Sequence, residues 1–197
     1  MRYTDSKAKR CRAVGVNLFG NTKFDDLRPY PPGQHGQKKK KVSDYGTQLL
    51  EKQKIRWSYG LSEKQFVALY EEATRAKAAT GTVLLQLLER RLDNIVFRSG
   101  LFASRDLARQ IVNHGHVLVN GKKLDVASAR LSPGDVITFR EKSKKFIQTI
   151  TLENMQVKPD WVEVLKNELS IKLLQVPERD QLDQSFRENL VVEYYSR

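Results

Sequence analysis

The sequence predicts an α+β protein with a helical N-terminal domain, an irregular basic arm, and an inserted small α/β domain of helices plus a short twisted sheet. Three observations predict this architecture. Apolar residues recur at helical spacing between residues 46 and 100, an Asn-Gly pair at 120–121 separates two strand-like runs, and prolines and glycines interrupt residues 1–45. With 197 residues, of which 40% are hydrophobic, the chain can bury a core in one or two modest domains.

These patterns also divide the chain. Residues 1–45 form the irregular basic arm, which we expect to need a partner to order it. Residues 46–89 together with 154–197 form a helical body with C-terminal strands, and residues 90–153 form the inserted domain. No internal repeat is visible.

Three helices are predicted before residue 100. The first begins after Gly46. The second begins at a capping box, in which Ser62 and Gln65 bind each other's backbone N–H groups. The third follows Thr80 and ends near Gly100. Their apolar positions recur at i, i+3, i+4 and i+7, so we expect these faces to form core.

Four local signals define the inserted domain: the helix cap Ser104, the helix stop Gly115, the hairpin turn Asn120-Gly121, and the turn Ser132–Asp135. On the capped helix Arg105 and Arg109 are four residues apart, so they share an outward face. A strand is predicted at residues 136–139. Residues 146–155 fit either a strand or a helical face, and we favour a helix.

Three strands are predicted beyond Pro159. Residues 161–165 and 169–176 are predicted to pair with each other, and residues 190–195 to form a last strand.

The charge predicts a polyanionic partner. The formal net charge is +12, and neutralising phosphates releases condensed counterions, which drives association with RNA, DNA or an anionic membrane. Residues 1–41 carry eleven Lys/Arg against three acids, and residues 90–153 carry twelve against six. Residues 42–89 are balanced, and residues 154–197 carry six Lys/Arg against eight acids. Two basic zones therefore flank a neutral segment.

Several classes of protein are disfavoured. No run approaches the roughly 18 consecutive apolar residues of a membrane span, and the N-terminus lacks an apolar signal region, so we expect the protein to stay in the compartment where it is made. The single cysteine, Cys11, can form no internal disulfide and cannot alone supply a zinc site. We therefore expect neither a metal nor another cofactor.

Residues 90–153 carry the motifs of a known domain. The motifs are Arg91–Asn94, Ser104–Gln110, His114–His116, Val119–Gly121 and Pro133–Val136. Together they resemble the RNA-binding domain named after small-subunit ribosomal protein four. That domain also occurs in some tRNA synthetases, pseudouridine synthases and heat-shock proteins, so alone it implies RNA but not the ribosome.

The flanking residues extend the resemblance to the whole chain. They are Pro31–Gly36, Ser43–Gly46, Glu51–Lys54, Glu63–Phe66 and Glu193–Arg197. The chain thereby resembles the bacterial family of small-subunit ribosomal protein four. Many members have an N-terminal cysteine cluster that binds zinc or an iron-sulfur centre. Here only Cys11 is present, so charge and packing against RNA must order the arm.

The resemblance implies a function. It implies direct, early binding to a junction of helices in small-subunit (16S-type) rRNA, which nucleates assembly of the 30S body. It further implies contact with ribosomal protein five, a contribution to translational accuracy with proteins five and twelve, and a position near the path by which messenger RNA enters. The protein would act in the small ribosomal subunit, in the cytoplasm or an organelle of bacterial descent, without a membrane and without forming a homo-oligomer.

Two sets of residues are candidates for RNA contact. The arm and first helix contribute Arg2, Lys7, Arg10, Arg12, Tyr30, Gln34, His35, Lys38, Lys39, Lys40, Lys41, Lys54 and Arg56. The inserted domain contributes Arg90, Arg105, Arg109, Gln110, His114, His116, Asn120, Lys122 and Lys123. Arg grips phosphate through its planar fork, and a rigid scaffold lets such cations recognise RNA shape.

Simpler interpretations stand beside these. Arg105 and Arg109 could form a merely solvated face, His114 and His116 could be local hydrogen-bond partners, and residues 34–36 could form a plain surface turn. By the resemblance, Lys38–Lys41 lie toward messenger RNA. Asp93 is predicted to be a structural partner for a nearby arginine.

The competing functions are an RNA-modifying enzyme and a chaperone that carries the same module. Pseudouridine synthases have an Arg-Leu-Asp motif, which Arg91–Asp93 superficially matches. Their catalytic domain follows the module, however, and only about 44 residues follow residue 153 here, too few for a catalytic pocket. A chaperone would not need the arm and tail. We therefore expect no enzymatic activity.

Overall fold

The structure is a computed structural model and describes residues 3, 5–20, 28–38, 41–151, 158–165 and 168–196. Within these residues the helices are α1 (Lys7–Val14), α2 (Asp44–Ser58), α3 (Glu63–Thr74), α4 (Thr80–Glu89), α5 (Leu92–Arg98), α6 (Arg105–Asn113), α7 (Glu141–Ile150) and α8 (Glu188–Tyr195). The strands are β1 (Val117–Val119), β2 (Lys122–Lys123), β3 (Val136–Phe139), β4 (Val162–Leu165) and β5 (Ser170–Leu173). The predicted α+β class is confirmed.

The chain folds as two units. The first comprises Met1–Val83 and Asp183–Arg197, and the second comprises Leu84–Leu182. The predicted division at residues 90 and 153 differs from this one. The reason is the sheet of the second unit, in which β5 pairs with β3 and brings residues beyond 153 into the same body.

In the first unit, α2 packs against α8. The predicted capping box is confirmed at α3, where Ser62 and Gln65 each accept a hydrogen bond from the other's backbone N–H at 3.3 Å. The last predicted strand, at residues 190–195, is wrong, because this segment is the helix α8. Val191 and Tyr195 are four residues apart, so in a helix they lie on the same face. Val191 is buried, and the centre of the Tyr195 ring lies 4.5 Å from that of the Tyr70 ring.

The arm is more regular than predicted. Residues 7–14 form α1, which buries Cys11 and ends where Gly15 adopts a left-handed conformation. Farther along, a turn brings the backbone N–H of Gly36 to the carbonyl of Gly33 at 3.2 Å. A Cβ atom at Gly36 would lie 2.0 Å from the oxygen of Pro31, so only glycine fits this turn.

The second unit is built on an antiparallel sheet with strand order β2-β1-β3-β5-β4. The predicted pairing of residues 161–165 with 169–176 is confirmed, although these strands extend this sheet and do not belong to the helical body. Helices α5, α6 and α7 share a core with the strands. Its buried members include Leu92, Ile95, Val96, Leu101, Phe102, Ala108, Ile111, Val112, Val117, Ile137, Phe139, Ile147, Trp161, Ile171 and Leu173.

The short-range signals of this unit are confirmed. Asn120 and Gly121 have φ values of 49° and 79° and join β1 to β2, as a two-residue hairpin turn requires. In the turn Ser132–Asp135, the Asp135 carboxylate accepts from the Ser132 N–H at 2.7 Å. Residues 146–150 are helical, as favoured, within α7. The remainder of the predicted segment lies largely outside the described residues.

None of the helices in the described ranges has both the length and the apolar character needed to span a membrane.

In the first unit, the Glu63 carboxylate connects α3 to α2 and α8. The carboxylate accepts from the buried Lys52 ammonium and, at 3.0 Å, from the Tyr195 hydroxyl, and it lies 3.1 Å from Arg56. Burial alone would raise the pKa of Glu63, but Lys52, Tyr195 and Arg56 together lower it. Burial and the nearby Glu63 carboxylate raise the pKa of the Tyr195 phenol well above its ordinary value.

We expect the Glu63 contribution to stability to depend on pH. Because its folded-state pKa is lowered, the contribution is complete above the ordinary glutamate pKa of about 4.3 and is lost as the pH falls through and below that value. Urea unfolding should therefore show that Glu63→Gln destabilises the chain at pH 7 and much less at pH 3. Glu71→Gln, an exposed residue of the same helix, is the control. Equal losses at both pH values would contradict this role.

Candidate nucleic-acid interface

The outward face of α6 carries the two arginines that the sequence singled out. Ser104 caps the helix by accepting from the Leu107 N–H at 3.3 Å, and Ala108, Ile111 and Val112 anchor its opposite face in the core. Arg105 and Arg109 are partly exposed on a helix that is fixed at its start and along its buried side.

The side chain of Arg105 is positioned by two residues of α5. Its Nε donates to the side-chain oxygen of Asn94 at 2.9 Å, and its guanidinium carbon lies 4.4 Å from the centre of the Phe97 ring. Both partners belong to α5. The guanidinium charge of Arg105 therefore has a defined position on the surface. A merely solvated arginine would have no such defined position.

Arg109 is positioned by the carboxylate of Asp93. Its Nη1 lies 3.8 Å from the Asp93 oxygen Oδ2, and 28% of its side chain is exposed. Asp93 also receives two hydrogen bonds from Arg91, at 3.1 and 2.8 Å. The prediction that Asp93 is a structural partner for an arginine is confirmed.

Behind Asn94 lies a carboxylate with no solvent exposure, that of Glu89. Arg98 donates to both of its oxygens, at 3.0 and 2.6 Å, and Asn94 donates to one of them at 2.6 Å. A chain of contacts thus runs from Glu89 through Asn94 to Arg105. Sequence reasoning did not identify Glu89 or Asn94 as site residues. The available signal was the largely polar run of residues 89–94, which interrupts the apolar pattern between α4 and α5.

The hairpin brings further cations to this unit. Lys122 is exposed, and exposed Lys123 lies 3.1 Å from Asp125. Asn120, predicted to contact RNA, has both side-chain polar atoms in use: it donates to Asp135 at 2.8 Å and accepts from the Val136 N–H at 3.0 Å. Its evident role is to tie the hairpin to β3.

Arg90 and the residues at the end of α6 have mixed roles. The Nε of Arg90 donates to the Leu131 carbonyl at 2.8 Å. The Arg90 side chain is partly exposed. Gln110 and His114 are exposed. His116 is partly buried, with its Nδ1 at 2.8 Å from the Ser143 hydroxyl. Burial first, and then the nearby His114 and Arg140, lower the pKa of His116.

In the first unit, one candidate for RNA contact is buried. Lys54 is only 6% exposed, and its ammonium donates to the Ser185 carbonyl and lies 5.8 Å from the centre of the Phe186 ring. Packing between α2 and the C-terminal residues requires this buried cation, so Lys54 does not present its charge at the surface. Arg56 is half-buried beside Glu63 and Gln53.

In the arm, three candidates have intrachain partners. Arg12 donates to the Tyr30 and Pro31 carbonyls at 2.9 and 3.2 Å. The guanidinium of Arg10 lies 3.5 Å from the centre of the Tyr3 ring, and Lys7 lies 5.0 Å from that of Phe19. The exposed candidates are Gln34, His35, Lys38 and Lys41. Arg2, Lys39 and Lys40 lie outside the described residues.

The described ranges contain no group of three or more His, Cys, Asp and Glu side chains that could hold a metal ion.

Comparison with known proteins identifies the class to which this fold and site belong. Residues 2–89 match the family described as the Ribosomal protein S4/S9 N-terminal domain, and residues 90–137 match the S4 domain, an RNA-binding domain. The α6 face and the β1–β2 hairpin lie within the second match.

Full-length relatives define the family more narrowly. The small ribosomal subunit protein uS4 of Thermoanaerobacter sp. (strain X514) is 48% identical over 206 residues, which cover 100% of this chain and 99% of that protein. The protein of the same name from Cutibacterium acnes is 50% identical over 200 residues, with the same coverage of both chains. The chain belongs to the uS4 family.

We expect Asn94 to be essential to the order of this interface. In Asn94→Ala, Glu89 loses a buried donor and Arg105 loses its acceptor, which should cost about 2 kcal/mol of unfolding free energy. Urea unfolding of the full chain measures the loss. Asn113→Ala, an exposed residue at the end of α6, should change it by less than about 0.5 kcal/mol. Similar small effects for both variants would contradict the role of Asn94.

Proposed function

We propose that this chain is a structural constituent of the small ribosomal subunit that binds 16S-type rRNA directly and early, at a helix junction, and so nucleates assembly of the 30S body. The observation that carries the proposal is the α6 face, where Arg105 and Arg109 are fixed by residues of α5. Membership of the uS4 family supports the ribosomal setting.

The physical basis is shape recognition by fixed charges. A folded RNA junction presents phosphates in a set pattern, because its helices are held at set angles. Cations that already occupy defined positions lose little side-chain entropy when they meet that pattern. Arg105 and Arg109, one helical turn apart on a capped helix, meet this requirement. The exposed lysines of the hairpin add attraction that depends less on geometry.

The arm supplies a second contact region in this proposal. Its exposed residues include His35, Lys38 and Lys41, and residues 1–41 carry a net charge of +8. Arg12 holds the segment at Tyr30 and Pro31, so part of the arm is shaped before RNA binds. We place the lysine run 38–41 toward the messenger path.

We further propose contact with ribosomal protein five and, with proteins five and twelve, a contribution to translational accuracy. Residues 154–197 support a protein-facing surface, because they carry more acids than basic residues while the rest of the chain is neutral or basic. In bacteria this assembly lies in the cytoplasm.

Sedimentation tests the ribosomal assignment. The protein should travel with 30S particles and resist removal by moderate salt, whereas an RNA-modifying enzyme or a free chaperone should remain in the supernatant. Recovery of the protein mainly in the soluble fraction would overturn the proposal.

The phosphate role of α6 has its own test. The double variant Arg105→Ala with Arg109→Ala should bind a small-subunit rRNA transcript more weakly. The slope of log affinity against log salt should also become shallower by about 1.4, since each lost phosphate contact contributes about 0.7 to 0.9. Filter binding from 50 to 300 mM KCl measures both quantities.

The matched control removes the same charge elsewhere. Lys64 and Arg75 are exposed on or just beyond α3, and their double alanine variant should change the slope far less. Thermal melting should verify that both double variants are folded. A slope equal to that of the unmodified protein for the α6 variant would exclude its assigned phosphate contacts.

A further inference from the structure

Three aromatic rings stand in a row near the end of α6. The ring centres of His114 and His116 are 6.0 Å apart, and those of His116 and Phe146 are 5.6 Å apart. Phe146, on α7, is 49% exposed. It is the aromatic member of the exposed large apolar side chains in the described part of the second unit. The others are Val126, Leu165 and Leu174.

Folding does not account for the position of Phe146. Helix α7 buries Ser143 and Ile147 against the unit, and the ring of Phe146 lies to the side of that face. Burial of an apolar side chain stabilises a fold, and about half of the Phe146 side chain remains in solvent. An aromatic ring left half in water on an ordered helix is free to contact a ligand.

Hydrogen bonds fix the position of the His116 ring relative to α7. The Nδ1 of His116 lies 2.8 Å from the hydroxyl of buried Ser143, and the His116 carbonyl accepts from the Arg140 N–H at 2.9 Å. These bonds connect the start of β1 to α7. Phe146 thus rests against a fixed imidazole, whose pKa is lowered by burial and by the nearby His114 and Arg140.

The surroundings are basic. Residues 140–146 contain four Lys/Arg and one acid, Glu141, which is paired with Lys144. Lys142 is exposed and lies one helical turn before Phe146, so the two side chains are neighbours on the surface of α7. Arg140 and Lys145 are also exposed.

We propose that Phe146, His116 and His114 form a stacking site for an unpaired nucleotide of the bound RNA, with Lys142 contacting its phosphate. This inference rests on the proposed function and names a contact within it. Planar bases stack on aromatic side chains in single-stranded segments, and neighbouring cations bind the backbone.

A protein partner would need a different surface. Stable protein interfaces bury about 800 Å² on each side, with a contiguous apolar centre. Here the exposed rings are those of Phe146 and His114, with cations around them, an area that fits a single base. The chemistry therefore favours RNA.

Fluorescence tests the stacking directly. Phe146→Trp should add a signal that is quenched by more than half when a small-subunit rRNA transcript binds, because stacked bases quench indole emission. Leu165→Trp, on an exposed position of β4, is the matched control and should be quenched little. The signal of the unmodified protein, which arises from Trp57 and Trp161, is subtracted.

Affinity gives an independent measure. Phe146→Ala should weaken binding about tenfold without changing the salt slope, while Phe146→Tyr should bind like the unmodified protein. Lys142→Ala should make the slope shallower by about 0.7. Phe146 is about half buried and Lys142 is exposed, so thermal melting should fall slightly in Phe146→Ala and stay unchanged in Phe146→Tyr and Lys142→Ala.

The outcomes separate this inference from the proposed function. If the unmodified protein fails to bind the transcript, the proposed function fails, and this inference fails with it. If the unmodified protein binds but Phe146→Ala binds equally well and Phe146→Trp is not quenched, the stacking site alone is excluded. Quenching by a purified ribosomal protein but not by RNA would likewise overturn it.

Discussion

The buried carboxylate of Glu89 is the constraint on which the α6 surface depends. An unpaired charge in a protein interior is costly, so a carboxylate with no exposure must be surrounded by donors. Arg98 and Asn94 supply them, and Asn94 then has its oxygen directed at Arg105. Satisfying one buried anion therefore fixes the position of a surface cation. Asp93, which Arg91 satisfies with two hydrogen bonds, lies 3.8 Å from Arg109 and attracts that second surface cation.

A similar device operates in the first unit with the charges reversed. Lys52 and Lys54 are buried cations, and the groups that satisfy them, Glu63 and the Ser185 carbonyl, lie on other segments. These bonds join α2 to α3 and to the residues before α8. Part of the basic charge therefore holds the fold together and does not lie at the surface, where a polyanion could contact it.

The sequence predicted features that depend on local chemistry. The Ser62 capping box, the Asn120-Gly121 turn and the Ser104 cap were predictable because each depends on residues a few positions apart. Features that depend on residues far away in the sequence were not predictable. Residues 190–195 have the composition of a strand but form a helix against α2, and Lys54 has the composition of a surface residue but is buried by residues 131 positions away. At the site, Arg105 and Arg109 were predicted, whereas their supports Asn94 and Glu89 were not.

The same distinction separates two kinds of cation on this protein. Arg105 and Arg109 are directed by partners in α5, so their geometry can select an RNA whose phosphates lie where they point. Exposed lysines such as Lys38, Lys41 and Lys122 have long flexible stems, so they attract RNA of many shapes. Selectivity should therefore reside mainly in the second unit, while the arm adds affinity. Under the proposed function, recognition of one RNA junction would thus depend on the few cations whose positions are set by partners within the protein.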